Sequence, residues 1–147
     1  MTEGTGFGSA EVELDAADEL VWRNVNPGFI DNGVISSQAF RPTPKDDSKL
    51  SGARQAKVAA DKHFHEFTSD LGLASAGVWA VSVAEANAEG VRCVYDAESA
   101  TRPPAPCPTG HTYFDFQTHG TSARKRISRK LTDNATARGR QHPAPGE

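Results

Sequence analysis

The run from Gly77 to Val83 (GVWAVSV) most constrains how this chain can fold. Ser82 is its only polar residue, so apolar and polar positions do not alternate. The run is far shorter than the ~20 consecutive apolar residues of a membrane span. A short continuous apolar run is typical of a strand that is buried on both faces. We therefore expect a sheet in which residues 77–83 form a central strand.

Shorter apolar patterns on both sides of this run predict further strands. An apolar cluster at residues 20–25 predicts a brief strand. The Asn32-Gly33 pair lies between apolar residues and predicts a hairpin, because both central residues of a type I′ turn need a positive φ. The return strand of this hairpin is expected to continue to about Phe40. Two more strands are predicted at residues 91–95 and 111–117.

One long and one short helix are predicted in the middle of the chain. Ala60, Phe64, Phe67 and Leu71 form a single apolar stripe at helical spacing. This stripe predicts a helix over residues 56–71 that packs against the sheet. Phe64 and Phe67 are expected to be buried in one cluster with Trp79, Val81, Ile127 and Leu131. A short helix is also predicted at residues 84–89.

The last predicted helix spans residues 122–138. Ser122 is a residue type that caps helix starts, and Gly139 is a type that ends helices. The apolar stripe of this helix is narrow and consists of Ala123, Ile127, Leu131 and Ala135.

The mixed order of these elements predicts the α+β class. We expect a small single domain with a mostly antiparallel mixed sheet of four or five short strands and two or three helices. The domain is expected to span residues 11–138, with a flexible lead at residues 1–10 and a flexible tail at residues 139–147. Residues 41–55 are predicted to be a polar connection.

The composition excludes several classes of protein. A chain of 147 residues fits one domain, and its 37% of hydrophobic residues is somewhat low but is not the composition of a wholly disordered chain. Its first twenty residues are acidic and lack the apolar segment of a secretory signal. The two cysteines, Cys93 and Cys107, are too few for a disulfide scaffold. These features predict a soluble cytoplasmic protein without a membrane partner.

The net charge of −3 conceals an asymmetry along the chain. Residues 1–50 carry nine acidic and four basic side chains, and residues 51–100 carry seven and four. Residues 101–147 reverse this balance, with three acidic and eight basic side chains. A basic element is thus attached to an acidic body, which indicates a partner of negative charge.

Most of the basic side chains in the last third belong to the predicted C-terminal helix. Gly120-Thr121-Ser122 offers main-chain N–H groups and hydroxyls at the helix start, which suits a phosphate. We therefore predict an accessory or interaction protein whose basic helix contacts an acidic partner, either nucleic acid or protein. The alternative is that the helix docks on the acidic body of the same chain. The predicted contact residues are Arg124, Lys125, Arg126, Arg129 and Lys130.

A second hypothesis assigns the chain an enzymatic activity. Arg23 at a strand end, Ser37 in the next strand and Glu85 after the apolar run occur in an order similar to that of ADP-ribosyltransferase-type domains. The resemblance implies a small NAD-consuming enzyme. In that family the arginine holds the dinucleotide phosphates, the serine strand supports the pocket and the glutamate stabilises the oxocarbenium-like transition state.

The sequence departs from that family in two respects. The serines are Ser36-Ser37-Gln38 rather than a Ser-x-Ser pair, and no Glu-x-Glu occurs late in the chain. The structural alternative is that Arg23 is a surface charge and that Glu85 begins a short helix, where an acidic side chain suits the helix dipole.

Neither a metal nor a cofactor is predicted. His63 and His65 are two residues apart and point in different directions on a helix, whereas chelating pairs need a spacing of three or four. His63 is predicted at the edge of the apolar stripe and His65 on the solvated face. Cys93 is predicted to be an inert core thiol, and Cys107 to be exposed among prolines.

Overall fold

The computed structural model describes residues 11–43, 48–97 and 109–143. The predicted lead at residues 1–10, the last four residues of the predicted tail, and Cys107 lie outside these ranges. Within them the chain is a single α+β domain, as the sequence predicts, with three α-helices and a mostly antiparallel sheet. No described helix is long and apolar enough to cross a membrane.

The strands number slightly more than predicted. Their bounds are β1 Val12–Glu13, β2 Leu20–Asn24, β3 Ile30–Asp31, β4 Val34–Ile35, β5 Lys49–Arg54, β6 Val78–Ser82, β7 Arg92–Tyr95 and β8 His111–Asp115. Six of them form one sheet in the spatial order β1–β7–β8–β5–β2–β6, and each described pair is antiparallel. The remaining two, β3 and β4, pair with each other.

The first helix is shorter than its apolar stripe predicted, whereas the other two helices have about their predicted lengths. Their bounds are α1 Ala60–His65, α2 Val83–Ala88 and α3 Thr121–Arg138. The expected start at residue 56 is wrong, because residues 55–57 form a turn in which the N–H groups of Lys57 and Val58 bond to the carbonyl of Arg54. A π-helical turn, Glu66–Asp70, extends α1, and two 3₁₀ turns span Pro27–Phe29 and Ser37–Phe40.

The sheet separates two apolar clusters, because successive residues of a strand point to opposite faces. One face carries the main core, where Leu50 and Phe114 pack with Ile127 and Leu131 of α3. The opposite face carries a smaller cluster of Trp22, Val58, Ala53, Val78 and Ala80 near α1.

A single core that includes Phe64, Phe67 and Trp79 is therefore a wrong expectation. Phe64 packs against the smaller cluster, while Trp79 belongs to the main core. Both Phe64 and Phe67 are half-buried. The sequence periodicity gives the apolar face of a helix, but it does not give the face of the sheet that the helix covers.

The apolar run forms β6, which lies at the edge of the sheet rather than in its centre. All five residues of β6 are nevertheless buried, because α3 contacts the strand from one side and α1 from the other. The chain after α3 also bonds along its outer edge. The N–H of Gln141 donates to the carbonyl of Val78, and the N–H of Val78 donates to the carbonyl of His142.

The segment predicted as a polar connection contains β5, which pairs with both β2 and β8. Gly52 accounts for part of this close pairing. A Cβ at residue 52 would lie 2.6 Å from the carbonyl oxygen of Trp22 and 3.1 Å from the side chain of Val21. Absence of a side chain there lets β5 approach β2.

The Asn32-Gly33 hairpin is confirmed, with φ of 54° and 78° at its two central residues. Its return strand ends at Ile35 and does not reach Phe40. The chain then forms the 3₁₀ segment Ser37–Phe40, whose last residue is completely buried in the main core. The hydroxyl of Ser128 in α3 donates to the carbonyl of Phe40 at 3.0 Å.

Candidate functional site

The outer face of α3 gathers most of the predicted anion-contact residues. Ile127, Leu131 and Ala135 are buried against the sheet, so the side chains on the other side of the helix face solvent. We call the exposed cations of this side the basic face; they are Lys125, Arg126, Arg129 and Lys130. Within the described residues, none of the four forms an ion pair with a carboxylate.

Arg124 is placed differently from these four cations. Its guanidinium donates to the carbonyls of His119 at 2.6 Å and Phe116 at 3.0 Å, and to the hydroxyl of Ser48 at 2.7 Å. These bonds hold the loop before α3 and the residue before β5 to the first turn of the helix. Arg124 therefore has a structural role that its neighbours on the basic face lack.

The start of α3 carries no side-chain cap. Its N-cap is Gly120, so the prediction of Ser122 as the cap is wrong. Thr121 and Ser122 are exposed, and no acidic residue occupies the first turn. The positive end of the helix dipole therefore lies beside the basic face, and both favour binding of an anion near the start of α3.

The three residues of the enzymatic hypothesis each have structural partners. Arg23 donates from Nε to the carbonyl of Ala39 at 2.5 Å and from Nη1 to the carbonyl of Ser51 at 2.7 Å. The hydroxyl of Ser37 accepts a bond from Arg41 at 3.2 Å. Arg23 thereby joins β2 to β5 and to the 3₁₀ segment before β5.

Glu85 is tied into the helix framework. It forms a capping box with Ser82, and its two carboxylate oxygens accept from Arg138 at 2.7 and 3.1 Å. Burial alone would raise the pKa of Glu85, but the bonds from Arg138 and from the Ser82 main chain outweigh burial and lower the pKa below its ordinary value.

A cleft of about 340 Å³ lies beside the β3–β4 hairpin. Its lining includes Val34, Trp79, Thr136 and Arg140. Arg23, Ser37 and Glu85 are not among the residues that line this cleft. No observation in the described chain favours the NAD-consuming enzyme, which stays a prediction.

The face of the sheet opposite α3 carries a hydrogen-bonded chain that the sequence analysis did not predict. The carboxylate of Asp96 lies 2.5 Å from Nδ1 of His111. Nε2 of the same imidazole lies 3.3 Å from the hydroxyl of Ser51. We call these three residues the Ser–His–Asp chain.

The strand register explains how the Ser–His–Asp chain forms. His111 pairs with Ala53 of β5, so Ser51 is its diagonal neighbour on the same face of the sheet. Asp96 follows β7 directly, and its N–H donates to the carbonyl of His111, which places the two residues side by side. The neighbouring strands β5 and β8 and the residue that follows β7 therefore each supply one member.

The members of the Ser–His–Asp chain differ in their exposure to solvent. His111 is 6% exposed and Asp96 is 3% exposed, whereas Ser51 is exposed to solvent. A buried carboxylate and imidazole are stable only when they are paired. The arrangement thus holds an imidazole in a fixed orientation beneath an accessible hydroxyl.

His63 from α1 is the nearby buried histidine. Burial is the main cause that lowers the pKa of His63 to about 4; His111 and Arg23 act in the same direction, and Glu66 opposes them. Within the described residues, Nδ1 of His63 has no hydrogen-bond partner. His63 is therefore more buried than a position at the edge of the apolar stripe would be. His65 is exposed, as predicted.

The π-helical turn is joined to the strand that carries His111. The carboxylate of Glu66 accepts from the N–H of Thr109 at 3.0 Å and from its hydroxyl at 2.6 Å. Two residues later the chain enters β8. This contact fixes the start of β8 relative to α1 and its extension.

Residue spacing gave no signal for the Ser–His–Asp chain. Ser51 lies in a segment predicted as a connection, and Asp96 lies directly after the strand predicted at residues 91–95. They are 60 and 15 residues from His111. A recognisable hint would have been the alternation in HTYFD, which places His111 on the polar face of its strand.

The remaining chemical predictions concern metals and thiols. Cys93 is buried in the main core, and burial raises the pKa of its thiol to about 12, in agreement with an inert core residue. Among the described residues, no three His, Cys, Asp or Glu side chains form a cluster that could hold a metal ion.

Comparison with protein-family models, with curated proteins and with solved structures gives no match to this chain.

Proposed function

We propose that this protein is an accessory module that docks through the basic face of α3 on the phosphate backbone of a nucleic-acid duplex. One observation carries the proposal. Four exposed cations occur within six residues of a helix whose opposite side is fixed in the core, and none has an acidic partner within the described chain.

The spacing of the cations supports a backbone contact. Lys125 and Arg129 are one helical turn apart, and so are Arg126 and Lys130. Side chains four residues apart on a helix lie about 6 Å from each other. The basic face therefore consists of two parallel pairs of charges, which suits the regularly spaced phosphates of a duplex.

The composition of α3 favours a duplex over a single strand. Recognition of single strands uses aromatic side chains on which bases stack. The sequence of α3 contains no aromatic residue. An acidic protein segment remains the other class of partner that a basic face can contact, and the experiment below separates it from nucleic acid.

The acidic residues in the rest of the chain oppose binding to a nucleic acid. With a formal net charge of −3, the protein as a whole is repelled by a polyanion. Binding therefore depends on local contacts of the basic face, which orient the helix towards the backbone. Such contacts carry no sequence information.

The test is a titration of the full chain with a labelled 20-base-pair duplex, followed by fluorescence anisotropy from 50 to 200 mM salt. For four phosphate contacts, a slope of about −0.9 per contact predicts that affinity falls roughly 150-fold over this range. The variant Lys125→Glu with Arg129→Glu reverses the charge of both members of one pair and is expected to abolish binding at 200 mM salt.

A matched variant controls for net charge. Lys57→Glu with Lys62→Glu makes the same change in net charge at exposed positions outside α3, and we expect it to retain most of the affinity. Equal weakening in both double variants would attribute binding to overall charge and reject the basic face. If the parent protein does not bind the duplex at 50 mM salt, the nucleic-acid proposal fails, and an acidic protein is the partner class to test.

A further inference from the structure

We propose that Ser51, His111 and Asp96 form a serine nucleophile that transfers the acyl group of small carboxylic esters to water. This activity is independent of the basic face, because it belongs to the opposite face of the sheet. It rests on the geometry of the Ser–His–Asp chain and on the accessibility of Ser51.

The geometry provides the two bonds that activate a serine. A serine nucleophile needs an imidazole that accepts its proton and a carboxylate that holds the imidazole in the correct tautomer. Asp96 accepts the Nδ1–H of His111, which leaves the lone pair of Nε2 directed at the hydroxyl of Ser51. The 3.3 Å separation of Oγ and Nε2 is typical of such a pair before substrate binds.

The exposure of each residue fits its role. A nucleophile must reach its substrate, and Ser51 is the exposed member. The base and the carboxylate work best where water is excluded, and both are almost completely buried. A network with a purely structural role would not need an accessible hydroxyl at its end.

Two further contacts support the nucleophile. Nη1 of Arg23 bonds to the carbonyl of Ser51 at 2.7 Å and fixes the main chain that carries the hydroxyl. Lys49 lies two residues before Ser51 on the same face, with its ammonium 5.1 Å from the ring centroid of Tyr113. Lys49 thus places a positive charge on the same face of the strand as the hydroxyl of Ser51.

The catalytic cycle of ester hydrolysis needs only the ester, water and these residues, without a cofactor. The oxygen of Ser51 forms a bond to the ester carbonyl carbon while its proton moves to Nε2 of His111. The C–O bond to the leaving alcohol then breaks, and His111 returns the proton to that alcohol. Water attacks the acyl-serine with transfer of its proton to His111. The carboxylic acid leaves, and the oxygen of Ser51 regains a proton.

The first experiment treats the full chain with an alkyl fluorophosphonate and locates the adduct by peptide mass spectrometry. Attack by Ser51 forms a P–O bond and releases fluoride, so the adduct mass equals that of the probe minus hydrogen fluoride. We expect one adduct, on Ser51. Ser51→Ala is expected to lose it, while Ser69→Ala, which removes another exposed serine, labels like the parent protein.

The second experiment tests Asp96 as a positioning residue. Asp96→Asn keeps the shape of the side chain but favours the wrong tautomer of His111, so we expect labelling to slow by about 100-fold or more. Hydrolysis of p-nitrophenyl acetate separates this role from general loss of structure. We expect Asp96→Asn to lower kcat and leave KM unchanged, with a melting curve that confirms a folded protein.

Three outcomes would overturn the proposal. The first is a folded parent protein that carries no adduct on Ser51 after prolonged incubation. The second is ester hydrolysis that is unchanged in Ser51→Ala. The third is labelling of a folded Asp96→Asn at the rate of the parent protein, which would show that the carboxylate does not activate the serine.

Discussion

The basic face of α3 and the Ser–His–Asp chain lie on opposite sides of one sheet and differ in how they are built. The basic face consists of residues from a single helix, and its cations lie in solvent. The Ser–His–Asp chain takes one residue from each of three neighbouring strand segments and buries two of them.

This difference has a direct energetic meaning. Exposed charges contribute little to stability and are screened by salt. A buried imidazole or carboxylate without its partner costs far more, because its desolvation is no longer offset. Substitutions of the basic-face cations should therefore change stability little, whereas loss of either buried partner in the Ser–His–Asp chain should lower it.

The largest expected effect is on the inner side of α3. Leu131 is completely buried in the main core, and Leu131→Ala should lower the free energy of unfolding by about 2–5 kcal/mol. Its neighbour Lys130 is exposed, and Lys130→Ala should change stability by less than about 0.5 kcal/mol. Urea unfolding of both variants tests the contrast. Equal losses would mean that the helix is not packed by this face.

The next effect concerns acid stability and His63. Its folded pKa of about 4 lies below the ordinary value of 6.5, so the unfolded chain binds the proton first. Stability should therefore fall as pH drops from about 6.5 to 4, by up to about 3 kcal/mol from this group alone. His63→Gln should remove this contribution, whereas His65→Gln at the exposed neighbour should retain it. The urea midpoints of the parent protein and both variants are measured at several pH values. If all three midpoints fall equally as the pH drops, the assignment to His63 is wrong.

A smaller effect is expected at the β3–β4 hairpin, which lies away from both regions. Gly33 has a φ of 78°, and a β-branched residue is strained at positive φ by roughly 1–3 kcal/mol. Gly33→Val should lower the thermal midpoint without altering duplex binding or Ser51 labelling. Gly33→Asn is a matched control at the same position, because Asn tolerates a positive φ and the space around the Cβ position of Gly33 is open. A Gly33→Val variant as stable as the parent would contradict the type I′ turn.

The smallest expected effect is on the stability of the basic-face double variant. Lys125 and Arg129 have no ion-pair partner in the described chain, so their replacement by Glu should change the free energy of unfolding by less than about 1 kcal/mol. Acidic side chains near a helix start also suit the dipole. Chemical unfolding at 50 mM salt measures this. A large destabilisation would mean that the basic face contacts the acidic body of its own chain.

Local patterns in the sequence predicted much of the fold. The Asn32-Gly33 pair specifies its turn through the backbone conformation that these residues tolerate, so no distant contact is needed. The stripe of α3 likewise identified Ile127 and Leu131 as the buried side, and the cations between them as the exposed side. These features depend on residues a few positions apart, which is the range over which periodicity carries information.

Features that depend on distant pairing could not be predicted in this way. β5 has few apolar residues, and its place in the sheet comes from neighbours on both sides and from the space left by Gly52. The apolar run appeared central because it is buried, yet α1, α3 and the chain after α3 cover an edge strand. An apolar run predicts that a strand is buried. It does not show whether neighbouring strands or other covering segments bury it.

The sequence by itself therefore determined the class of the fold, the hairpin and the charged side of α3. The tertiary structure alone decided that Ser51, His111 and Asp96 meet. Their contact requires the register of β8 against β5 and the placement of Asp96 opposite His111. A shift of one residue in either pairing would turn the side chains to the other face of the sheet, because strand side chains alternate with a period of two.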